Sequence, residues 1–355
     1  MPSTKQMPPA VVPANTALDK QVQHLLCAIS EEEGRLFLGQ NTCRLEALPL
    51  KVSWAGNPPS VDWPSSLVRL NPEILLTGWS TPPLDVQWLD SEECRLRYIC
   101  HLAGSIKWLV PRSFIEREGI VTNWSDIPSS SVAEQGLLLA LAALRNSGQW
   151  LELIRGKAKN GNRIEWLNTL TLFRRNVGIH GFGRVARELI KILRPFDVKI
   201  RSYSHGVPKA MFDAAGVIQA ETLESMFRES DVLFECEAFT PHTSGAVSAD
   251  ILAMLPNNAV FVNVARGGLV DEGALLREAA SGRIRVALDV VTSEPVDISS
   301  PFLGLSNVVM SPHIGGPTFD QYTSCGEFAA KNIVRYTQGK PLEGIVSLEE
   351  YDRST

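Results

Sequence analysis

The sequence predicts an α/β protein: a doubly wound parallel sheet, preceded by a second, smaller domain of flavodoxin-like α/β type. From Val177 onward the runs VGIH, VKIRSY, DVLFEC, AVFVNVA, RVALDVV and NVVMSPH alternate with amphipathic or capped helical segments. These runs are apolar almost throughout, as strands buried on both faces must be. Upstream the same alternation is looser, with strand candidates at Leu25–Ile29, Leu50–Trp54, Glu73–Thr77, Tyr98–Leu102 and Ile120–Thr122. A chain of 355 residues, 44% hydrophobic and 21% charged, is long enough for the two cores this requires.

Between the two regions lies SSSVAEQGLLLALAALR, in which Ser131 and Glu134 have the spacing of a capping box. The residues that follow are apolar on every face, so this helix is expected to be buried all round, either with a second subunit of a homodimer completing its cover or as an ordinary interior helix.

Bulk charge narrows the partners. With 34 basic against 39 acidic residues the net charge is −5, which favours a small-molecule ligand and gives no reason to expect nucleic acid. The 6 cysteines, at positions 27, 43, 94, 100, 236 and 325, fall in no CxxC or metal-ligand spacing. They read as reduced thiols of a cytoplasmic protein, and no metal is expected. The first thirteen residues hold four prolines and no apolar stretch of signal-peptide length, so residues 1–20 are expected to form a mobile tail. The longest apolar run, Leu137 to Leu144, is too short to span a bilayer.

The segment VGIHGFGRVARELIKILRP gives the doubly wound half a ligand. Gly181, Gly183 and Ala186 stand in G-x-G-x-x-G/A spacing directly after a strand and at the opening of a helix, the context of a Rossmann dinucleotide-binding domain. Gly181 permits the tight turn and Gly183 lets the backbone approach a pyrophosphate. The helix, opened by Arg184 and Val185, turns its N-terminal N–H groups toward that anion. An apolar stripe of Val185, Ala186, Leu189, Ile190 and Leu193 supports it, and Pro195 ends it. At the end of the second strand, where an NAD-binding fold offers an acid to the adenosine ribose, this chain has Ser204. NAD is the expected cofactor, with NADP kept open because the acid is missing and His205 and Lys209 stand nearby; no arginine lies in that loop.

Three segments beyond the loop, FVNVARGGLVDE, RVALDVVTSEP and VVMSPHIGG, together with SVAE before the long helix, resemble the D-isomer-specific 2-hydroxyacid dehydrogenase family over nearly the whole chain. That resemblance implies hydride transfer between a nicotinamide cofactor and a small 2-hydroxy or 2-keto acid, with Arg266, Glu294 and His313 in the positions of the catalytic arginine, acid and histidine. The reaction asks for these residue types in its own right. A guanidinium fork pairs with a carboxylate and a carbonyl oxygen at once, an imidazole exchanges the alkoxide proton, and an acid holds that imidazole in place and favours its charged form. The resemblance also sets Thr240, Val264, Ala265, Asp289 and Gly315 near the cofactor. It makes the turns TGWST and HLAGSIK substrate-facing, so that Gly78, Trp79, Ser80, Gly104 and Ser105 are substrate-binding candidates, with purely structural turns, and a Trp79 that only fills the domain interface, as the competing reading. Departures from the pattern are His180 before the first glycine, and Cys236, Glu237 and Ala238 where the family often carries a proline-containing run. His101 and His180 are expected to be hydrogen-bonded structural histidines rather than ligands.

Family architecture further implies a discontinuous smaller domain, residues 21–124 plus 317–355, around a dinucleotide-binding domain of residues 125–316, with hydride transfer in the cleft between them. With so short a stretch after His313, no appended regulatory domain is expected. A different class remains beside this reading: a nicotinamide-responsive corepressor of the same fold, in which dinucleotide binding changes affinity for a partner.

Overall fold

A computed structural model describes residues 23–56, 63–156 and 167–353; the N-terminal segment 1–20 lies outside them. The chain divides into two compact units, Met1–Ile127 with Phe319–Thr355, and Pro128–Thr318.

The first unit is a parallel sheet in the order β2-β1-β3-β4-β5, with β1 His24–Ala28, β2 Lys51–Trp54, β3 Ile74–Thr77, β4 Tyr98–His101 and β5 Ile120–Thr122. This 2-1-3-4-5 order is the flavodoxin-like arrangement. β1, β3 and β4 are buried along their whole length, as the centre of a sheet covered on both faces must be. One face packs on the Tyr322–Thr337 helix through Cys325, Ala329, Ala330, Ile333 and Tyr336. That helix lies so close to the Gly34–Leu38 segment that a methyl group on Gly326 would sit 1.8 Å from the Phe37 carbonyl oxygen. Gly326→Ala must push one backbone off another, and a loss of about 1–3 kcal/mol or more is expected in urea unfolding.

The second unit is a parallel sheet in the order β12-β11-β10-β9-β6-β7-β8. Its strands are β6 Asn176–His180, β7 Lys199–Tyr203, β8 Ile218–Gln219, β9 Val232–Glu235, β10 Val260–Asn263, β11 Arg285–Leu288 and β12 Val308–Met310. Counted within the unit the order is 3-2-1-4-5-6 with a further strand at the β12 edge, the doubly wound dinucleotide-binding arrangement. The order in which strands are added reverses between β6 and β9, while all of them stay parallel. The sequence runs account for six of these strands; β8 pairs over only two residues and shows no apolar run of its own.

The helix between the two regions spans Ser129–Leu144 and starts differently from expectation. Pro128 is the residue before its first turn, so Ser131 lies inside the helix, where its hydroxyl donates to the carbonyls of Pro128 (2.9 Å) and Gly316 (2.9 Å). Glu134 is exposed, and no capping box forms there. Nor is the helix buried all round within its own unit: Ala133, Gly136, Leu139, Ala140, Ala143 and Leu144 are buried, while Leu138 is 58% exposed. Its last carbonyls, of Ala143 and Leu144, accept from the buried Arg285 guanidinium at 3.1 and 2.8 Å. Among the described residues no helix is long and apolar enough to cross a membrane.

Candidate active site

Parallel register brings the functional segments to one edge of the second sheet. Asn263 pairs with Leu288 and Leu288 with Met310, so the loops leaving β10, β11 and β12 emerge side by side at the carboxyl ends of their strands. Arg266 lies three residues past β10, Glu294 six past β11 and His313 three past β12.

Each loop is held by its own contacts. Asn263, buried at the end of β10, receives the Ala265 N–H on Oδ1 (3.0 Å) and donates Nδ2 to the Arg266 carbonyl (3.0 Å). The Arg266 guanidinium donates to the Ala265 carbonyl at 2.6 Å. Burial lowers its pKa from the ordinary value, and the Glu294 charge works the other way; an arginine stays cationic in either case. Gly267 lets this loop touch the next one: a Cβ there would lie 2.0 Å from the Val291 carbonyl carbon and 2.2 Å from the Thr292 nitrogen. Glu294 accepts the Val291 N–H at 3.1 Å and meets His313 Nδ1 at 2.5 Å. Their side chains are 32% and 45% exposed, so the pair orients the imidazole more than it stabilises the fold.

His313 has a left-handed backbone, φ 53°, a conformation that costs a residue with a side chain and must be enforced by its surroundings. Asp289 enforces it. Its carboxylate is buried and accepts from Ser311 Oγ (2.6 Å), Ile314 N–H (3.0 Å) and Gly315 N–H (2.8 Å), while its carbonyl accepts the His313 N–H (2.9 Å). Asp289 and Gly315, named from sequence as cofactor contacts, are here joined to each other and to the histidine loop.

Around the glycine loop the fold supplies what a dinucleotide needs. Gly181 has φ 99°, and a Cβ on it would meet the backbone of Cys236 and Glu237 at 2.7 Å, so only glycine fits. Gly183 faces open space, with nothing within 4 Å of where its Cβ would be. The Arg184–Leu193 helix starts at Gly183 with no side-chain cap, which leaves its positive end to an anion. Open space, an uncapped helix start and a glycine-only turn fit a pyrophosphate. The dinucleotide's ribose end would fall toward Ser204, whose hydroxyl donates to Glu237 Oε2 at 2.7 Å. His205 is exposed, and Lys209 is paired with Asp213 at 2.6 Å.

Beneath that loop His180 Nδ1 meets Glu235 Oε2 at 2.6 Å, both side chains almost fully buried. Burial alone depresses an imidazole's pKa, but the Glu235 charge and hydrogen bond outweigh it and lift His180 above its ordinary value. Thr240 bonds within its own turn, its hydroxyl 3.0 Å from that of Thr243. Val264 is buried and packs in the core.

In the first unit the candidate turns are bonded internally. The Gly78 N–H donates to Thr81 Oγ1 (2.9 Å) and the Ser80 N–H to Glu33 Oε1 (3.1 Å), so neither is free to grip a carboxylate as the sequence suggested. What this turn presents is the Trp79 ring, 47% exposed and in edge or tilted contact with Phe37, Trp124 and Tyr322. Gly104 packs against Trp124, whose Nε1 would lie 2.7 Å from an added Cβ. Burial drops the His101 imidazole to about 4; its Nδ1 meets Thr77 Oγ1 at 2.9 Å, while its Nε2 has no partner, so it is only half satisfied.

The profile of the family described as D-isomer specific 2-hydroxyacid dehydrogenase, NAD binding domain, matches residues 137–315, half of the chain. This chain belongs to that family. Family membership makes it an oxidoreductase that moves a hydride between a nicotinamide cofactor and a 2-hydroxy or 2-keto acid. It is 30% identical to a glyoxylate reductase of Pyrococcus furiosus over 72% of this chain and 77% of that one. It is 31% identical to a D-3-phosphoglycerate dehydrogenase of Methanocaldococcus jannaschii over 66% of this chain, and spans only 44% of that enzyme's length. The crystal structure of a glyoxylate reductase from Paecilomyes thermophila shares the fold, with TM-score 0.76 at 21% identity over 92% of this chain and 98% of that one.

The sequence reading gives no role to four of the groups that shape the dehydrogenase site: Asn263, Glu235, Glu237 and Ser311. Asn263 and Glu235 carry the one available signal, a polar residue closing an otherwise apolar strand run.

Proposed function

We propose that this dehydrogenase reduces a short 2-keto acid, with Arg266 binding its carboxylate and polarising its carbonyl, His313 supplying the proton and Glu294 orienting His313. The observation that carries the reading is the 2.5 Å contact between Glu294 and His313, with the partly buried Arg266 on the adjoining strand end. When bound, the nicotinamide supplies the hydride. The residues do the rest. The guanidinium fork donates to two oxygens in one plane, and partial burial strengthens its pull on the negative charge that develops on the carbonyl oxygen. With Nδ1 committed to Glu294, Nε2 is the ring nitrogen that delivers a proton to that oxygen, or takes it back in the oxidative direction. Asp289 acts on the reaction through the loop it fastens.

Glyoxylate, hydroxypyruvate and pyruvate are the substrates to try first, with NADH and NADPH, following loss of reduced cofactor by absorbance. Turnover of at least one acid is expected, and none of acetone or acetaldehyde, which lack the carboxylate that Arg266 would bind. A chain that binds cofactor yet turns over no 2-keto acid overturns this reading. The exposed Leu138, with Trp150, Leu151 and Ile154 after it, supports assembly as a homodimer. The free thiols of Cys27, Cys100 and Cys325, all buried, support a cytoplasmic setting.

A further inference from the structure

The switch point of the second sheet holds a carboxylate that the chemistry leaves unused. β6 and β9 are neighbours there, and Gly181 follows the first while Glu237 stands two residues beyond the second. Glu237 is fixed at both ends. Its N–H donates to Glu235 Oε1 at 2.9 Å, and Glu235 is anchored in turn by His180. At the other end Oε1 accepts the Ala238 N–H (2.9 Å) and Oε2 accepts the Ser204 hydroxyl (2.7 Å). Ser204 directly follows β7, the position from which dinucleotide folds usually offer an acid to the adenosine ribose. The acid missing from β7 is thus delivered from β9, across the end of β6, to the same spot.

From this geometry we infer that Glu237 is the residue that recognises the ribose 2′-hydroxyl and makes the enzyme select NAD(H) over NADP(H). This rests on the reading that the Gly181 loop holds the dinucleotide. An ionised carboxylate only accepts hydrogen bonds, and each of its oxygens keeps a lone pair after bonding Ser204 or Ala238. A free ribose hydroxyl is a donor that fits it. A 2′-phosphate is acceptor-rich and brings roughly two more negative charges against it. Little in this loop offsets that repulsion: residues 204–208 contain no lysine or arginine, only the imidazole of His205, and Lys209 is engaged by Asp213.

Binding of NADH and NADPH to the purified full chain, measured by calorimetry without substrate, tests the inference apart from turnover. The wild type should bind NADH at least tenfold more tightly than NADPH. Glu237→Gln, nearly isosteric and uncharged, should weaken NADH by about 10- to 100-fold, the range for losing a charged hydrogen-bond acceptor, and narrow or reverse the preference. Adding Ser204→Asp to Glu237→Gln returns an acid to the usual position and should restore the preference, which a merely structural role for Glu237 would not produce. Equal or tighter binding of NADPH by the wild type overturns the inference, as does a Glu237→Gln protein with unchanged melting temperature and unchanged preference. A wild type that binds neither nucleotide overturns the dinucleotide reading of the loop, and this inference with it.

Discussion

His313→Asn is expected to lower kcat on the best 2-keto acid by roughly 10²–10⁴, the range for loss of a positioned proton donor, with the melting temperature almost unchanged. Asparagine is the right replacement because it tolerates the left-handed backbone at this position, φ 53°, better than other side chains without a basic nitrogen. It still reaches Glu294 with an amide donor, so the Val291–His313 neighbourhood keeps its contacts. What disappears is the titratable nitrogen. The exposed Glu294–His313 pair contributes at most about 1 kcal/mol to folding, so a large fall in rate with little fall in stability separates a chemical from a structural role. Turnover within tenfold of wild type would place the proton donor elsewhere.

A second large effect is expected on stability, at the buried His180–Glu235 pair. His180→Leu leaves a carboxylate that is fully buried, with the Glu237 N–H as its remaining listener, and should cost about 3–5 kcal/mol in urea unfolding. The paired change His180→Leu with Glu235→Leu removes the stranded charge along with its partner and should recover most of that loss. The pair's contribution also depends on pH, with a definite sign. His180 is raised above its ordinary 6.5, so it binds its proton more tightly folded than unfolded. That contribution is full below pH 6.5 and is lost as pH rises through the higher folded value. The stability difference between wild type and the double-leucine variant should therefore shift against wild type on going from pH 6 to pH 9; a difference that moves the other way contradicts the assigned direction.

The fold was readable from sequence where burial is uniform. β6, β9, β10 and β11 lie at the centre of a two-sided sheet, so their residues form continuous apolar runs bounded by polar turns. β8 has two residues at an edge, with Ile218 exposed, and nothing in its composition separates it from a loop. The start of the Ser129–Leu144 helix was misjudged for a local reason. Ser131 and Glu134 have capping-box spacing, but the cap position falls three residues earlier, at Pro128, and a serine inside a first turn bonds backward to carbonyls instead.

Within the candidate site, Arg266, Glu294 and His313 are visible because each sits in a short segment of unusual composition. Relationships between segments are not visible. Ser204 and Glu237 are 33 residues apart, and His180 and Glu235 are 55 apart. No periodicity links residues on different strands; only the order of strands in the sheet does. The internal bonding of Gly78 and Ser80 is hidden in the same way, since Glu33, which engages Ser80, belongs to a segment 47 residues earlier.

Asp289 gives the histidine loop its shape while the chain folds. With Ser311, Ile314 and Gly315 already tied to one carboxylate, the imidazole does not have to be collected from a wandering segment each time a keto acid arrives. The entropy of fixing it is settled once per molecule rather than once per turnover, and encounters with substrate begin from a ring already standing at attention.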